Sequence, residues 1–554
     1  VQGSAELEQF RKCLTHPELN IRFQNRAREL RDLLLNDDQG WTLVDELVAT
    51  LAGAGGATGW AELDAARWNQ DPRSAKIEGT GGNEGMLFCM NPYTSTRFPQ
   101  QGRTLSSADF PGLVDWVKDF IVPSGFGGGR RAAMSDDPRI PATPTIQYTG
   151  TAGFPTDGLS FSCSDFAPGS SGSGFAAMEW RVGEIYNPDS AGYVPGEPWR
   201  YEVDSFWTSG TIDTFSNSFT LPPIAVRDGS QYRARVRHRG SDGRWSHWSE
   251  PLEFVAAAPD LTAYLDGLVV SEVMYRPGGG AALEFVEIKN VGPVALDLSD
   301  VRFTKGIDFD FAGSAITSID PDAYVLVVED LAAFEAAYGG GLPVAGEYRL
   351  SSSNSLSNGG ERLKLSFGAG TPIRDFVYDD ELPWPTLPDL SGHSLVLIGP
   401  ERLPDHSVPN NWRSSTGPGG NPGSSDAAPP FIGDAGADDD NDGLVALLEH
   451  ALGGDDSDPA AAAYPKVLVE PLEVGGATGD YLFIQIQRDL AAEDVIVSAE
   501  ISSDLINWES GATAVVLVGE NANGDGTSTL TYRSAQATAP GSWAFIRARA
   551  EERP

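Results

Sequence analysis

The sequence predicts a multidomain, mainly β protein: small β-sandwiches in tandem behind an α-helical N-terminal piece. Three observations carry this expectation. The 554 residues include 63 Gly and 38 Pro at a hydrophobic fraction of 40%, a folded but turn-rich composition that favours many short strands. The chain is longer than one hydrophobic core ordinarily fills. Sustained helical spacing is confined to the first ~125 residues, and beyond it apolar residues alternate or cluster in short runs between turn formers.

In the helical piece, Leu7, Phe10 and Leu14 share one face, as do Phe23, Ala27, Leu30 and Leu34. Val44, Leu47, Val48 and Leu51 repeat the pattern behind Thr42, which can cap the helix. A further helix is expected over Leu113–Phe120, entered through Asp109 and Pro111. Residues 1–128 are assigned to this piece, and the Gly-, Pro- and charge-rich residues 129–140 to a linker.

Residues 141–258 read as a first β domain. In QYRARVRHR, Arg233, Arg235 and Arg237 alternate with Ala234, Val236 and His238, so the arginines share one face of a strand. The turn GSDG leads to WSHWS, with Trp245, Ser246, Trp248 and Ser249. Planar guanidinium groups stack well on indole faces, at about 0.5–2 kcal/mol per contact. This pattern resembles the last strands of fibronectin type III domains of the cytokine-receptor kind, and Tyr232 falls where that fold usually places a tyrosine. Such a ladder can serve a ligand or simply zip the sandwich edge.

Residues 259–427 read as a second β domain. AYVLVVED is an apolar run expected to be buried on both faces. ERLKLSF alternates, with Leu363, Leu365 and Phe367 inward and Arg362, Lys364 and Ser366 outward. One helix interrupts the strands: Asp330 caps it, Leu331, Phe334 and Tyr338 line its face, and Gly339 ends it. SEVMYRP, EFVEIKN, SLSNGGERLKL, FVYDDELPWP and GHSLVLI occur here in the order found in bacterial lamin-tail domains. The resemblance implies an immunoglobulin-like β-sandwich, an extracellular modular setting and no catalysis. In secreted bacterial proteins such a domain often accompanies a CotH-type, protein-kinase-like domain. The helices around FQNRARELRDLLL, the AARW element and DFPGLVDWVKDFI resemble the C-terminal end of one. That likeness implies that any nucleotide-binding lysine and metal-binding acids belong upstream of this chain, so no catalytic residue is assigned.

Residues 461–554 return to strands and read as a C-terminal β module, with Asn523–Gly526 as a hairpin turn. Before it, in residues 428–460, lies DDDNDGLVALLE. An EF-hand calcium loop places Asp or Asn at alternate positions, then Gly, then Glu after five further residues. Asp438, Asp440, Asp442, Gly443 and Glu449 meet that spacing, and Leu444 would give its backbone carbonyl. Leu444, Leu447, Leu448 and Leu452 then form a short helix ended by Gly453. The entering side, PPFIGDAGA, is no helix, so this is half of an EF-hand, similar to the lone loops of dockerins. Asp455, Asp456 and Asp458 add further acid, and a solvated acidic linker is the competing interpretation. If filled, the loop is expected to hold Ca2+ and rigidify the joint before the last module.

The formal charge of −39 argues against nucleic acid and anionic lipid as partners, since phosphate binding needs clustered Lys and Arg. Cys13, Cys89 and Cys163 give no disulfide framework, with Cys13–Cys89 the one pair worth testing. No apolar run is long enough to span a bilayer. The opening VQGSAELEQF has neither a Met nor a signal-peptide pattern, so the chain is expected to be a fragment or a mature piece of a secreted protein. No GxSxG, Walker loop, GxGxxG or HExxH occurs. The six histidines fall at no metal-ligand spacing, and Asp379, Asp380 and Glu381 sit in a Pro-rich loop that reads as a solvated turn. The function expected is therefore that of a non-catalytic extracellular region of a secreted or cell-surface bacterial protein, structural, adhesive or ligand-binding, with cell-surface protein or carbohydrate as the ligand class. The alternative is the tail of a CotH-type phosphotransferase.

Overall fold

The computed structural model describes residues 12, 14–36, 38–52, 114, 117–118, 137–349, 354–538 and 544–554. Cys13, Cys89 and the pairing between them, the face Leu7–Phe10–Leu14 in its first two members, and most of Leu113–Phe120 lie outside these residues. Cys163 is buried and free. The chain is mainly β and multidomain, and divides into two compact units, Val1–Pro259 and Asp260–Pro554.

In the first unit, a four-stranded antiparallel sheet runs in the order Ser205–Thr208, Phe175–Ile185, Gln231–Gly240, Leu252–Val255. A three-stranded sheet, Ile146–Tyr148, Ser160–Cys163 and Ser218–Thr220, completes the sandwich. Phe161, Trp180, Val182, Tyr232, Ala234, Val236 and Phe254 fill the space between. The buried Tyr232 hydroxyl accepts the Arg227 N–H at 2.8 Å, which satisfies its one polar atom.

Ala234 and Val236 point into this core, so the period-2 rule turns Arg233, Arg235 and Arg237 to the opposite face. There Arg237 lies between Trp245 and Trp248, 4.4 and 4.3 Å from their ring centroids. Arg181 and Arg239 extend the ladder over Trp248 and Trp245. Ser246 and Ser249 supply the pairing a regular strand would give: their hydroxyls accept from the His238 and Val236 N–H groups at 3.0 and 3.2 Å.

The arginine face is nevertheless not open to water. Helix α1 (Pro17–Leu33) and helix α2 (Gln39–Ala52) cover it. From α1, Asn25 accepts the Trp245 N–H at 3.1 Å and donates to the Gly243 carbonyl at 3.0 Å. Asp32 accepts the Trp248 N–H at 3.0 Å and meets His247 at 2.9 Å. Gln39, opening α2, accepts the Glu202 N–H at 2.9 Å. Asn36, rather than Thr42, receives the first N–H of α2, from Gln39 at 2.8 Å. Thr42 stands inside the helix and donates to the Asp38 carbonyl.

The second unit holds two β modules. The first has a six-stranded sheet in the order Val344–Glu347, Tyr324–Val328, Phe285–Asn290, Leu268–Met274, Leu395–Leu397, Trp412–Ser414. Facing it are Phe309–Asp310, Val301–Lys305, Glu361–Phe367 and Thr371–Tyr378. Val325–Val328 are buried on both faces: the opposing sheet covers one, and helix α3 (Leu331–Tyr338) covers the other through Phe334. The Asp330 carboxylate caps α3 from the Ala333 N–H at 3.0 Å, and Gly339 at φ 88° ends it, as its sequence predicts. Ser366, expected outward, is buried. The register shifts beside it, and its hydroxyl pairs with Thr304 at 2.8 Å.

Two glutamates of the six-stranded sheet, Glu272 and Glu287, stand cross-strand from each other and are both 1% exposed. Glu272 accepts from the Ser394 hydroxyl and from the Asn421 N–H at 3.0 Å. Glu287 accepts from the Ser271 hydroxyl at 2.7 Å and the Gly423 N–H at 2.6 Å. The pair thereby holds down the turn 417–424. A Cβ on Gly420 would lie 2.1 Å from Glu272 Oε1, and its φ of +73° also suits glycine alone.

Burial, and then the Glu287 charge, raise the Glu272 carboxyl well above the usual range. Burial lifts Glu287 to about 7 against the pull of Gly423, Ser271 and Lys289, while Asp426 pushes both acids upward. The folded state thus binds protons more tightly than the unfolded chain. The stability these groups contribute is full below the ordinary glutamate range and falls as pH rises towards and through about 7. The second unit is accordingly expected to melt higher at about pH 5 than at about pH 8. Glu272→Gln/Glu287→Gln should narrow that difference, and a melt that instead rises with pH in the wild type would contradict the assignment.

The last module has a four-stranded sheet, Lys466–Val474, Ala477–Asp489, Thr527–Ser534 and Val515–Ala522, and the pair Val495–Ser502 and Phe545–Glu552. Asn523–Gly526 is the expected hairpin turn, with Gly524 and Gly526 at φ 84° and 92°. Helix α4 (Ala446–Leu452) belongs to this module: Leu447, Ala451 and Leu452 pack into its core with Ile484, Ile486 and Val495. The acidic stretch before α4 is therefore anchored to a core rather than strung between domains. The two modules meet at several points, and Arg413 is the buried one. Its fully buried guanidinium meets Asp426 on one side and donates from Nε to Glu493 at 2.7 Å on the other.

Candidate metal centre

Residues 438–449 form a tight loop whose backbone amides turn inward onto its own carboxylates. The Asp438 side chain accepts the N–H groups of Asp442 and Gly443, both at 3.1 Å. Asp440 accepts the Asp442 N–H at 3.1 Å, and Asp442 the Leu444 N–H at 2.7 Å. The curl needs left-handed backbone at Asn441 (φ 60°) and Gly443 (φ 95°), conformations that Asn and Gly adopt most readily. The Ala446 N–H donates to the Ala437 carbonyl at 2.8 Å and closes the loop's base. Tyr464 donates to the Asp442 carbonyl at 2.8 Å, tying the loop to the chain that enters the module's first strand.

Two groups of side-chain oxygens result, each lying within 4.8 Å of one another. One is Asp438, Asp440 and Asp442; the other is Asp440, Glu449 and Asp456. Asp440 belongs to both, so the four acids that the spacing singles out fall in two overlapping groups, with Glu449 reaching Asp440. Leu444 follows in the loop with its side chain buried and its N–H on Asp442.

Glu449 distinguishes this arrangement from a solvated acidic linker. It is 1% exposed, and neither of its carboxylate oxygens has a hydrogen-bond partner. Asp440 Oδ2 and Asp442 Oδ2 are likewise buried and unpartnered. Leaving an ionised carboxylate buried without donors is expensive. Burial first, then Asp440, Asp442 and Asp456, push the Glu449 carboxyl up to about 7, and Asp440 is raised as well. Nothing in α4 relieves this, because its other buried residues, Leu447, Ala451 and Leu452, are apolar. A hard cation taking six to eight oxygens matches such a donor set.

Asp456 was not legible as part of the site. Of the acids after α4, Asp455 caps the Ser457 N–H at 3.0 Å and Asp458 the Ala460 N–H at 3.0 Å, both in exposed turns. Asp456 alone returns to the loop, accepting the Asp439 N–H at 3.1 Å. The signal in the sequence is Gly453-Gly454 directly after the helix, which lets the chain double back.

Asp379 accepts the N–H groups of Asp380 and Glu381, a turn as expected. His406 accepts the Val270 N–H at 3.2 Å, and burial lowers it and His238 to about 4. Among the described residues no helix is long and apolar enough to cross a membrane. Compared with known proteins, the chain matches no family model and no curated protein.

Proposed function

We propose that this chain is a non-catalytic, extracellular modular region of a secreted or cell-surface bacterial protein, and that its last module is stabilised by one Ca2+ held by Asp438, Asp440, Asp442, Leu444 and Glu449. The observation that carries the metal is the buried, unpartnered Glu449 carboxylate facing Asp440. Bound calcium supplies the positive charge that lets these acids stay ionised side by side. Residues 259–427 are proposed to be a lamin-tail domain, on the five sequence motifs and with the support of a sandwich in which those motifs supply adjacent strands. Cell-surface protein or carbohydrate is the ligand class proposed, and the acidity of the chain speaks against nucleic acid.

Calorimetric titration should show saturable Ca2+ binding near one equivalent, lost in Asp440→Ala/Glu449→Ala. At a hundredfold excess over Kd the metal should stabilise by about 2.7 kcal/mol. In chelator, Glu449→Gln should melt no lower than wild type, because it removes an uncompensated buried charge. In calcium it should melt lower. Absence of binding heat together with an unshifted melt would refute the metal assignment.

A further inference from the structure

We propose that Asp456, outside the twelve-residue loop, is a direct ligand of the cation, and that it makes the site a nearly dry cage selective for Ca2+ over Mg2+. The inference rests on the calcium reading above and adds a residue that the loop template lacks. At the loop's ninth position, where such sites commonly use a side chain or a water, stands Ala446, which offers no side-chain oxygen.

The fold delivers an oxygen from elsewhere. Gly453, at φ 75°, ends α4 in the left-handed conformation, and the Gly454 N–H donates back to the Glu449 carbonyl at 2.8 Å. A Cβ on Gly454 would sit 3.0 Å from Glu449 Oε1, so glycine leaves the close approach open. The chain then brings the Asp456 carboxylate within 4.8 Å of those of Asp440 and Glu449. Asp456 Oδ1 is oriented by the Asp439 N–H at 3.1 Å. The independent sign that this cluster faces a ligand is again Glu449, 1% exposed with both oxygens unpartnered.

One oxygen each from Asp438, Asp440, Asp442, Leu444 and Asp456, with two from Glu449, would satisfy Ca2+, which takes six to eight. Mg2+ demands six in near-octahedral geometry and gives up its waters reluctantly, so a crowded set of protein oxygens disfavours it. The metal would then fasten the exit of α4 as well as its entrance.

The test uses Tb3+ luminescence lifetimes in H2O and D2O, which count metal-bound waters, and Ca2+ and Mg2+ titrations on the full chain. Tb3+ in the wild type should keep about one water or none. Asp456→Ala should add about one water and weaken Ca2+ about 10- to 100-fold, as losses around metal sites do. Asp458→Ala should do neither, and Asp456→Asn, with an unchanged melt in chelator, guards against misfolding. If Asp456→Ala leaves hydration and affinity unchanged while Glu449→Ala abolishes binding, Asp456 is no ligand and the calcium reading survives alone. Mg2+ competing as well as Ca2+ would overturn the selectivity, and a wild type that binds neither Tb3+ nor Ca2+ would overturn both readings.

Discussion

Glu202→Ala is expected to destabilise the first unit by about 3–5 kcal/mol, the cost of stripping the partner from buried charges. Glu202 is fully buried and faces three arginines. Arg235 binds it bidentately, Arg233 reaches it at 3.2 Å, and Arg181 lies at 3.9 Å and donates to its backbone carbonyl. Removing the carboxylate leaves guanidinium groups crowded in a dry place, with Asp38 and Glu253 reaching only Arg233. Hydrogen exchange across Gln231–Gly240 would report the loss directly. Glu253→Ala is the control: its side chain is 45% exposed, and such pairs contribute about 1 kcal/mol or less. Equal effects for the two variants would mean that burial is not what gives Glu202 its weight.

Arg413→Ala should be comparably damaging in the second unit, at about 3–5 kcal/mol. Asp426 comes from the end of the first module and Glu493 from the last, and the Arg413 guanidinium compensates both charges. Without it the carboxylates face one another, and calorimetry should show the unit's melting split into two transitions. Asp426→Asn/Glu493→Gln added to Arg413→Met should recover much of the loss, since neutralising a buried ion set can be harmless where breaking it is not. No splitting and no recovery would place the coupling elsewhere in the interface.

Local signals in the sequence translated well into structure. Helix α3 is bounded by Asp330 and Gly339, whose effects act within one turn, so its limits can be read directly. The arginine–tryptophan ladder and the four loop acids follow from fixed spacings within a strand or a loop. Ser366 keeps its outward phase, since Leu365 and Phe367 on either side of it both enter the core, and its burial comes instead with a hydroxyl pair to Thr304 on the neighbouring strand, which no period-2 count detects. The docking of α1 was hidden for a different reason. Hydrophobic spacing marks Phe23, Ala27, Leu30 and Leu34, yet the contacts with the sandwich come from Asn25, Glu29 and Asp32, a polar stripe that looks like a solvated face. Gly453-Gly454 marks a chain return but not which of the following acids it delivers to the loop, and the Arg413–Glu493 pair joins residues too far apart in sequence for local pattern to encode.

The covering of the ladder by α1 bears on what else could bind there. The arginine–tryptophan face is already engaged by a segment of the same chain, which competes as a tethered ligand rather than a free one. Because it belongs to the same chain, that segment competes at an effective concentration that dilution does not lower. An outside molecule with only modest affinity for that face would have to displace Asn25 and Asp32 from the Trp245 and Trp248 amides before it gained a contact. The motif that looks most like a receptor surface is, in this chain, self-occupied.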